Sequence, residues 1–305
     1  MQASIIIPTK DRLHVLDETL IALSNAAEGI DVEIIVVNDS KTTKPRPQAG
    51  GIPIAVIDNP GNGVASARNM GASVAASECL IFMDDDFLIE RKHLLNAMEY
   101  ARKEPNRVYL FDWSYPPQLV ESMKDHHFGR YLIRYGFTSL RGWLSGEWGD
   151  DEVFELKGGA SYFFAINKSM FVLVGGYDER FPHAGAEDYD FVSRLRRLGV
   201  RYYLDKRMTI YHNEKDRLDP MSFFARKRRN GETIAKAIEL GYPELAVEYP
   251  LAKRAALSVL SRIKPAILWV QSAIPNLPVW DGAYFRLTNL LLAIYFFEGY
   301  STKEQ

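Results

Sequence analysis

Three aspartates in a row, Asp84, Asp85 and Asp86, stand directly behind the apolar run Cys79-Leu80-Ile81-Phe82-Met83. Apolar residues ending in clustered acid read as a buried strand that delivers carboxylates to the rim of a sheet. Strand side chains alternate, so Asp84 and Asp86 are expected on one side and Asp85 on the other. Neighbouring carboxylates repel, and burying them unpaired is strongly unfavourable. A divalent cation relieves that repulsion. All-oxygen ligands favour Mg²⁺ or Mn²⁺, which often share their coordination shell with substrate phosphates. The competing reading is a solvated acidic turn; the strand in front of the triplet and the groups below weigh against it.

Further polar groups fall at comparable places. Pro8-Thr9-Lys10-Asp11-Arg12 follows the first strand, and Asp39 ends the second. Asp11 and Asp39 either cap helices or contact a ligand. Asn62–Gly71 opens a helix with small residues, and the positive helix end together with Arg68 suits an anion such as a diphosphate or a polar base. Glu187 and Asp188 begin a later helix, where acids also occur simply to complement the dipole. His212 ends a strand and could complete the ligands of a cation, while His126-His127 reads as a loop pair.

The elements that must position these groups alternate. Strands are expected at Ala3–Ile7, Val32–Val37, Ile54–Ile57, Cys79–Met83 and Val108–Trp113. Helices are expected at Leu13–Ala26, Val64–Ala76 and Glu90–Lys103. Such alternation implies a mostly parallel sheet covered on both faces, with ligands bound beyond the carboxyl ends of its strands. Ser114–Lys157 reads as a long irregular segment with loop or lid character. A strand at Ala160–Ile166, a short helix to Val174, a helix from Glu187 and two short strands at Arg201–Leu204 and Met208–Tyr211 follow. Beyond Asn213 the pattern is helical. The division expected is 1–215 for the α/β part that carries these groups and 216–305 for a helical extension.

Bulk properties narrow the class. The 305 residues are 47% hydrophobic and 25% charged, with a net charge of −2 and one cysteine. That balance gives no electrostatic reason to expect nucleic acid, and Cys79 cannot form an internal disulfide. The N-terminus shows no basic or hydrophobic leader, which predicts a cytoplasmic protein. Leu257–Ile274 and Leu290–Phe297 are apolar but fall short of the ~18–20 uninterrupted residues of a membrane span. Each could pack internally, form a homodimer or lie peripherally on the inner face of a membrane. The basic cluster Arg226–Arg229 reads as a solvated face or a contact for phosphates or anionic lipid.

In order, these pieces resemble a family 2 glycosyltransferase of the GT-A fold. The resemblance rests on Ile5-Ile6-Ile7-Pro8-Thr9, Val36-Val37-Asn38-Asp39-Ser40 and the Asn62–Gly71 pattern. It continues through the Asp84–Asp86 run, Gly175-Gly176-Tyr177-Asp178-Glu179, Glu187-Asp188 and His212, about two thirds of the chain. It implies a Rossmann-like α/β domain with a C-terminal helical extension, and an inverting, metal-dependent transfer from a nucleoside-diphosphate sugar. A UDP-sugar is the first expectation, with GDP- and dTDP-sugars open, and the acceptor is a glycan or a lipid-linked molecule. Thr9, Asp39 and Arg68 would meet the base or ribose, with Pro8, Asp11 and Asp85 beside them. Asp84 would serve the ribose or the metal, Asp86 would bind Mn²⁺ or Mg²⁺, and His212 would be a further metal or phosphate contact. Asp188 would be the general base, with Glu187 positioning it or the acceptor; Glu147, Asp150, Asp151 and Glu152 are the reserve acids.

Lys10 stands where many relatives carry an aromatic residue that stacks on the base. Asn38 and Ser40 stand for a common aspartate and glycine, so base identity is left open. Two other functions compete. A sugar-nucleotide pyrophosphorylase would show a glycine-rich basic loop after the first strand, which Ile7-Pro8-Thr9-Lys10 is not. A non-catalytic glycan-binding module would have no need of Asp84, Asp86 and Asp188.

Overall fold

The computed structural model describes residues 1–47, 52–144, 146 and 148–302. Glu147 lies outside the described residues. In chain order, β1 (Ala3–Thr9), α1 (Leu13–Ala26), β2 (Val32–Asn38), β3 (Ile54–Asp58), α2 (Gly63–Val74) and β4 (Cys79–Met83) form the first half. Then come β5 (Phe87–Leu88), α3 (Arg91–Lys103), β6 (Arg107–Ser114), α4 (Pro117–Met123), α5 (His127–Arg134) and α6 (Leu140–Trp143). Next are β7 (Val153–Glu155), β8 (Phe163–Asn167), α7 (Lys168–Leu173), α8 (Ala186–Arg197) and β9 (Arg201–His212). The chain closes with α9 (Pro220–Glu239), α10 (Leu251–Arg262), α11 (Lys264–Ser272) and α12 (Asp281–Ser301).

Two compact units share the chain. One comprises Met1–Pro116, Ser139–Arg180 and Glu187–Glu214; the other comprises Pro117–Thr138, Phe181–Ala186 and Lys215–Gln305. In the first unit a sheet runs in the order β3-β2-β1-β4-β8. Its first four strands are parallel and β8 is antiparallel to β4. β1 is buried at every position, as a central strand covered on both faces must be. α1 turns Val15, Leu16, Leu20 and Leu23 inward at helical spacing. α2 owes its closeness to the sheet to Gly71, where an added Cβ would stand 2.3 Å from Ile6 Cγ2.

A second sheet is centred on β9, flanked by β6 on one side and by β5 and β7 on the other. Two short strands were expected here. The structure has one long strand, because the partner of β6 jumps from Asp205 to Thr209 and leaves Lys206, Arg207 and Met208 as a bulge. The stretch from Ser114 to Lys157, expected to be irregular, holds α4, α5, α6 and β7. Its helices are too short to show a clear period in sequence.

The second unit is helical around Phe224, Leu257, Ile267, Leu291, Ile294, Tyr295 and Phe297. The run Leu290–Phe297 lies in α12 and supplies this core. α9 and α12 approach closely at Gly299, where an added Cβ would stand 2.0 Å from the Arg228 carbonyl oxygen. His127, read as a loop residue, opens α5 and is buried, with Nδ1 2.6 Å from Asp281 Oδ1 and Nε2 2.7 Å from the Pro275 oxygen. No described helix is long and apolar enough to cross a membrane.

Candidate active site

The candidate residues of the first unit gather where its strands end. Beyond Met83 the chain leaves β4 and turns, so strand alternation does not carry through the aspartate triplet. Asp85 and Asp86 face the same group: Arg12 Nη1 donates to Asp85 Oδ1 at 2.6 Å and to Asp86 Oδ2 at 2.8 Å. Thr9 Oγ1 donates to Asp85 Oδ2 at 2.6 Å, and Thr19 Oγ1 to the Asp85 backbone oxygen at 2.8 Å. Pro8, paired with Val37 in the sheet, sets this end of β1 beside β2.

Asp86 meets the end of β9 through a two-residue pairing. Phe87 lies opposite His212, and the Asn213 backbone N–H donates to the Asp86 oxygen at 2.7 Å. His212 Nε2 then stands 3.3 Å from Asp86 Oδ2 and 4.0 Å from Glu214 Oε1. The imidazole is stacked on Phe87 at 4.4 Å and bordered by the edge of Trp113. Tyr115 Oη holds Glu214 Oε2 at 2.6 Å. Asp86, His212 and Glu214 thereby offer ligand atoms within 4.8 Å of one another.

Asp84 belongs to a second cluster. Arg68, buried in α2, donates from Nη2 to Asp84 Oδ1 at 2.9 Å and from Nη1 to Asp188 Oδ1 at 3.2 Å and Glu187 Oε1 at 3.3 Å. Its guanidinium also lies 5.0 Å above the Tyr177 ring. Burial opposes the charge on Arg68, but its acidic neighbours outweigh that and keep it protonated. Ser161 Oγ donates to Asp188 Oδ1 as well, so the hydrogen bonds received by Asp188 from the described residues fall on one oxygen. Glu187 is fully buried, whereas Asp188 is partly open. Asp84 keeps 34% of its side chain open. Even so, its carboxyl is pushed up to about 7, chiefly by desolvation and, against the pull of Arg68, by the charges of Asp86 and Asp188.

Asp39 does the work of a cap from a distance, since its Oδ1 accepts the Gly63 N–H at the start of α2 (2.9 Å) and Asn59 Nδ2 (2.7 Å). Lys10 Nζ reaches its Oδ2 at 2.9 Å. Asp11 caps no helix. With φ of 57° it sits in the left-handed region and ties the loop after β2, accepting Ser40 Oγ at 2.5 Å and Thr43 Oγ1 at 2.8 Å. These bonds hold its carboxyl below the usual range. Asn38 is turned to Asp58 Oδ1 at 3.0 Å.

Arg12 and Glu214 were missed by the reading of the sequence. Glu214 had a weak signal, the two-residue spacing from His212 that puts both on one side of an extended chain. For Arg12 the signal was only its place behind β1. The donor set suits a divalent cation. Arg12 pairs with Asp85 and Asp86, and Arg68 with Asp84, Glu187 and Asp188, while Glu214 lies beside Asp86 and His212. Two carboxylates with an imidazole form a set that Mn²⁺ accepts.

The profile of Glycosyl transferase family 2 matches residues 4–164, more than half of the chain. That of Glycosyltransferase like family 2 matches residues 141–242. The chain belongs to glycosyl transferase family 2. An uncharacterized glycosyltransferase of Haemophilus influenzae is 28% identical over 196 residues, covering 63% of this chain and 61% of the relative. The chain thus spans about three fifths of the length of that relative.

Among solved structures, a mannosyltransferase of Pyrobaculum calidifontis in complex with GDP-Man and Mn²⁺ aligns with a TM-score of 0.52 at 15% identity, over 96% of this chain and 85% of that one. S. aureus TarS 1–349 in complex with UDP aligns with a TM-score of 0.51 at 15% identity, over 99% and 90%. At such identity the likeness speaks for the fold, a GT-A α/β sheet flanked by helices with a helical C-terminus.

Proposed function

We propose that this chain transfers a sugar from a nucleoside-diphosphate sugar to an acceptor hydroxyl with inversion, in the manner of a hexosyltransferase of glycan or polysaccharide biosynthesis. The observation that carries the reading is the convergence of Asp84–Asp86 and Glu187-Asp188 on two arginines, with His212 and Glu214 beside Asp86, at the strand ends of a family 2 chain. Asp86, His212 and Glu214 would hold Mn²⁺ or Mg²⁺, with Asp84 near enough to add charge. Such an ion, when bound, offsets the negative charge that gathers on the departing diphosphate. The Mn²⁺ complex of the mannosyltransferase with the same fold supports this.

Asp188 is the base. Its Oδ1 is held by Arg68 and Ser161, which leaves Oδ2 to take the acceptor proton as the oxygen bonds to the sugar anomeric carbon. The bond from that carbon to the diphosphate breaks on the opposite face, which inverts the anomer. Glu187 positions Asp188 through the shared guanidinium. Pro8, Thr9, Asp11 and Asp39 form the base and ribose end, with Asp85 braced by Thr9. Arg68 contributes by fixing Asp84 beside the ribose. The donor is a UDP-sugar first, as UDP occupies a neighbour of the same fold, with GDP- and dTDP-sugars the alternatives. The acceptor is a glycan or lipid-linked hydroxyl reached in the cytoplasm.

The test is turnover of UDP-, GDP- and dTDP-sugars with Mn²⁺, Mg²⁺ or chelator, with the anomeric configuration of the product read by NMR. Binding of every nucleotide without transfer or donor hydrolysis would favour the non-catalytic module, and retention of configuration would remove Asp188 as base.

A further inference from the structure

The helices that follow α9 carry apolar surface on two sides. Leu257 and Ile267 turn inward to the core around α12. On the opposite side of α10, Leu251, Val259 and Ile263 share a stripe with exposed alanines, and α11 shows Trp269 outward. The connection to α12 adds Val279 and Trp280. Leu251 is 86% exposed, Val279 81% and Trp269 71%, so these side chains meet solvent almost completely. Outward apolar faces of this kind mark interaction surfaces.

Charge identifies the occupant. From residue 249 to 280 the chain has Lys253, Arg254, Arg262 and Lys264 and no aspartate or glutamate. Lys264 is paired with Glu298 and Lys253 lies over the Tyr249 ring, while Arg262 stands exposed beside the apolar stripe of α10. A second copy meeting this stripe through a two-fold axis would bury Arg262 with no acid of the 249–280 segment to pair it, which is unfavourable. An anionic bilayer offers the complement, with headgroups for the cations, acyl chains for the aliphatic stripe and the interfacial zone for tryptophan. Three residues of the basic cluster Arg226–Arg229 are engaged within α9 and α12. Arg226 lies over Phe223, Lys227 over Phe296, and Arg228 pairs with Glu232. We propose that the outer face of α10, α11 and the 277–280 segment docks peripherally on an anionic lipid bilayer.

The full chain is mixed with vesicles of neutral phosphatidylcholine alone or with anionic phosphatidylglycerol, at low and high salt, and bound protein is measured by co-sedimentation. Binding is expected only to the anionic vesicles and is expected to weaken at least tenfold in high salt. Trp269→Ser with Val279→Ser, and separately Lys253→Glu with Arg262→Glu, should each lower it about tenfold, with the circular-dichroism melt unchanged. Four outcomes would overturn the proposal: equal binding to neutral vesicles, no binding at all, indifference to both pairs of substitutions, or a lipid-free dimer that Trp269→Ser with Val279→Ser dissociates. Vesicle binding needs neither donor nor acceptor, so its failure leaves the transferase reading standing.

Discussion

At the scale of single residues, two arginines organise the acids of the site. Arg12 braces Asp85 and Asp86, and Arg68 braces Asp84, Glu187 and Asp188. Replacing Asp188 with Asn keeps the shape and removes the proton acceptor. Turnover should fall by ~10²–10⁴ while donor affinity stays within a factor of two or so. Steady-state kinetics beside donor titration reads this, and near wild-type turnover would send the search to Asp150, Asp151 or Glu152. Asp86→Asn and Glu214→Gln should each weaken Mn²⁺-dependent nucleoside diphosphate binding at least tenfold in calorimetry; unchanged affinity in both would dissolve the proposed cation site. The acids were legible because a carboxylate behind a buried strand has few structural explanations. Arg12 and Glu214 were not, because what an arginine or glutamate pairs with is decided by residues far away in the chain.

Elements place these residues through backbone geometry, and glycine decides two of the approaches. At Gly71 a methyl group would collide with Ile6, a side chain that can shift in part. Gly71→Ala should therefore cost about 1–3 kcal/mol of stability. At Gly299 the obstacle is the Arg228 carbonyl on the neighbouring helix backbone, so Gly299→Ala should cost at least as much. Chemical denaturation of both variants measures this, and a loss under about 0.5 kcal/mol at Gly299 would mean that the two helices part without penalty. The element pattern itself was readable where periodicity is long. Leu13–Ala26 and Cys79–Met83 have the bounds expected from sequence. It failed at β9, where Asp205, Lys206 and Arg207 looked like a break, and at α4 to α6, where each helix is too short to establish a period.

For the whole molecule, a ligand that binds only the folded chain must raise its stability. Mn²⁺ with the preferred nucleoside diphosphate, at about a hundred times its dissociation constant, should add about 2.7 kcal/mol. Thermal melting should show the gain and a chelator should abolish it. No shift with UDP, GDP or dTDP would count against a nucleotide site in this chain. The sequence by itself determined the alternating strands and helices, the family resemblance and the acid behind β4, because hydrophobic period and short motifs are local properties. Tertiary structure alone decided which distant groups meet: Arg68 joins Asp84 to Glu187 and Asp188, and Asp86 meets His212 through the pairing of Phe87 with the far end of β9. It likewise decided the fates of the two apolar runs. Leu290–Phe297 became core, whereas the helices spanning Leu257–Ile274 kept an outer apolar face. Hydropathy measures how much apolar surface a segment carries; which side of a helix is covered depends on its neighbours in space.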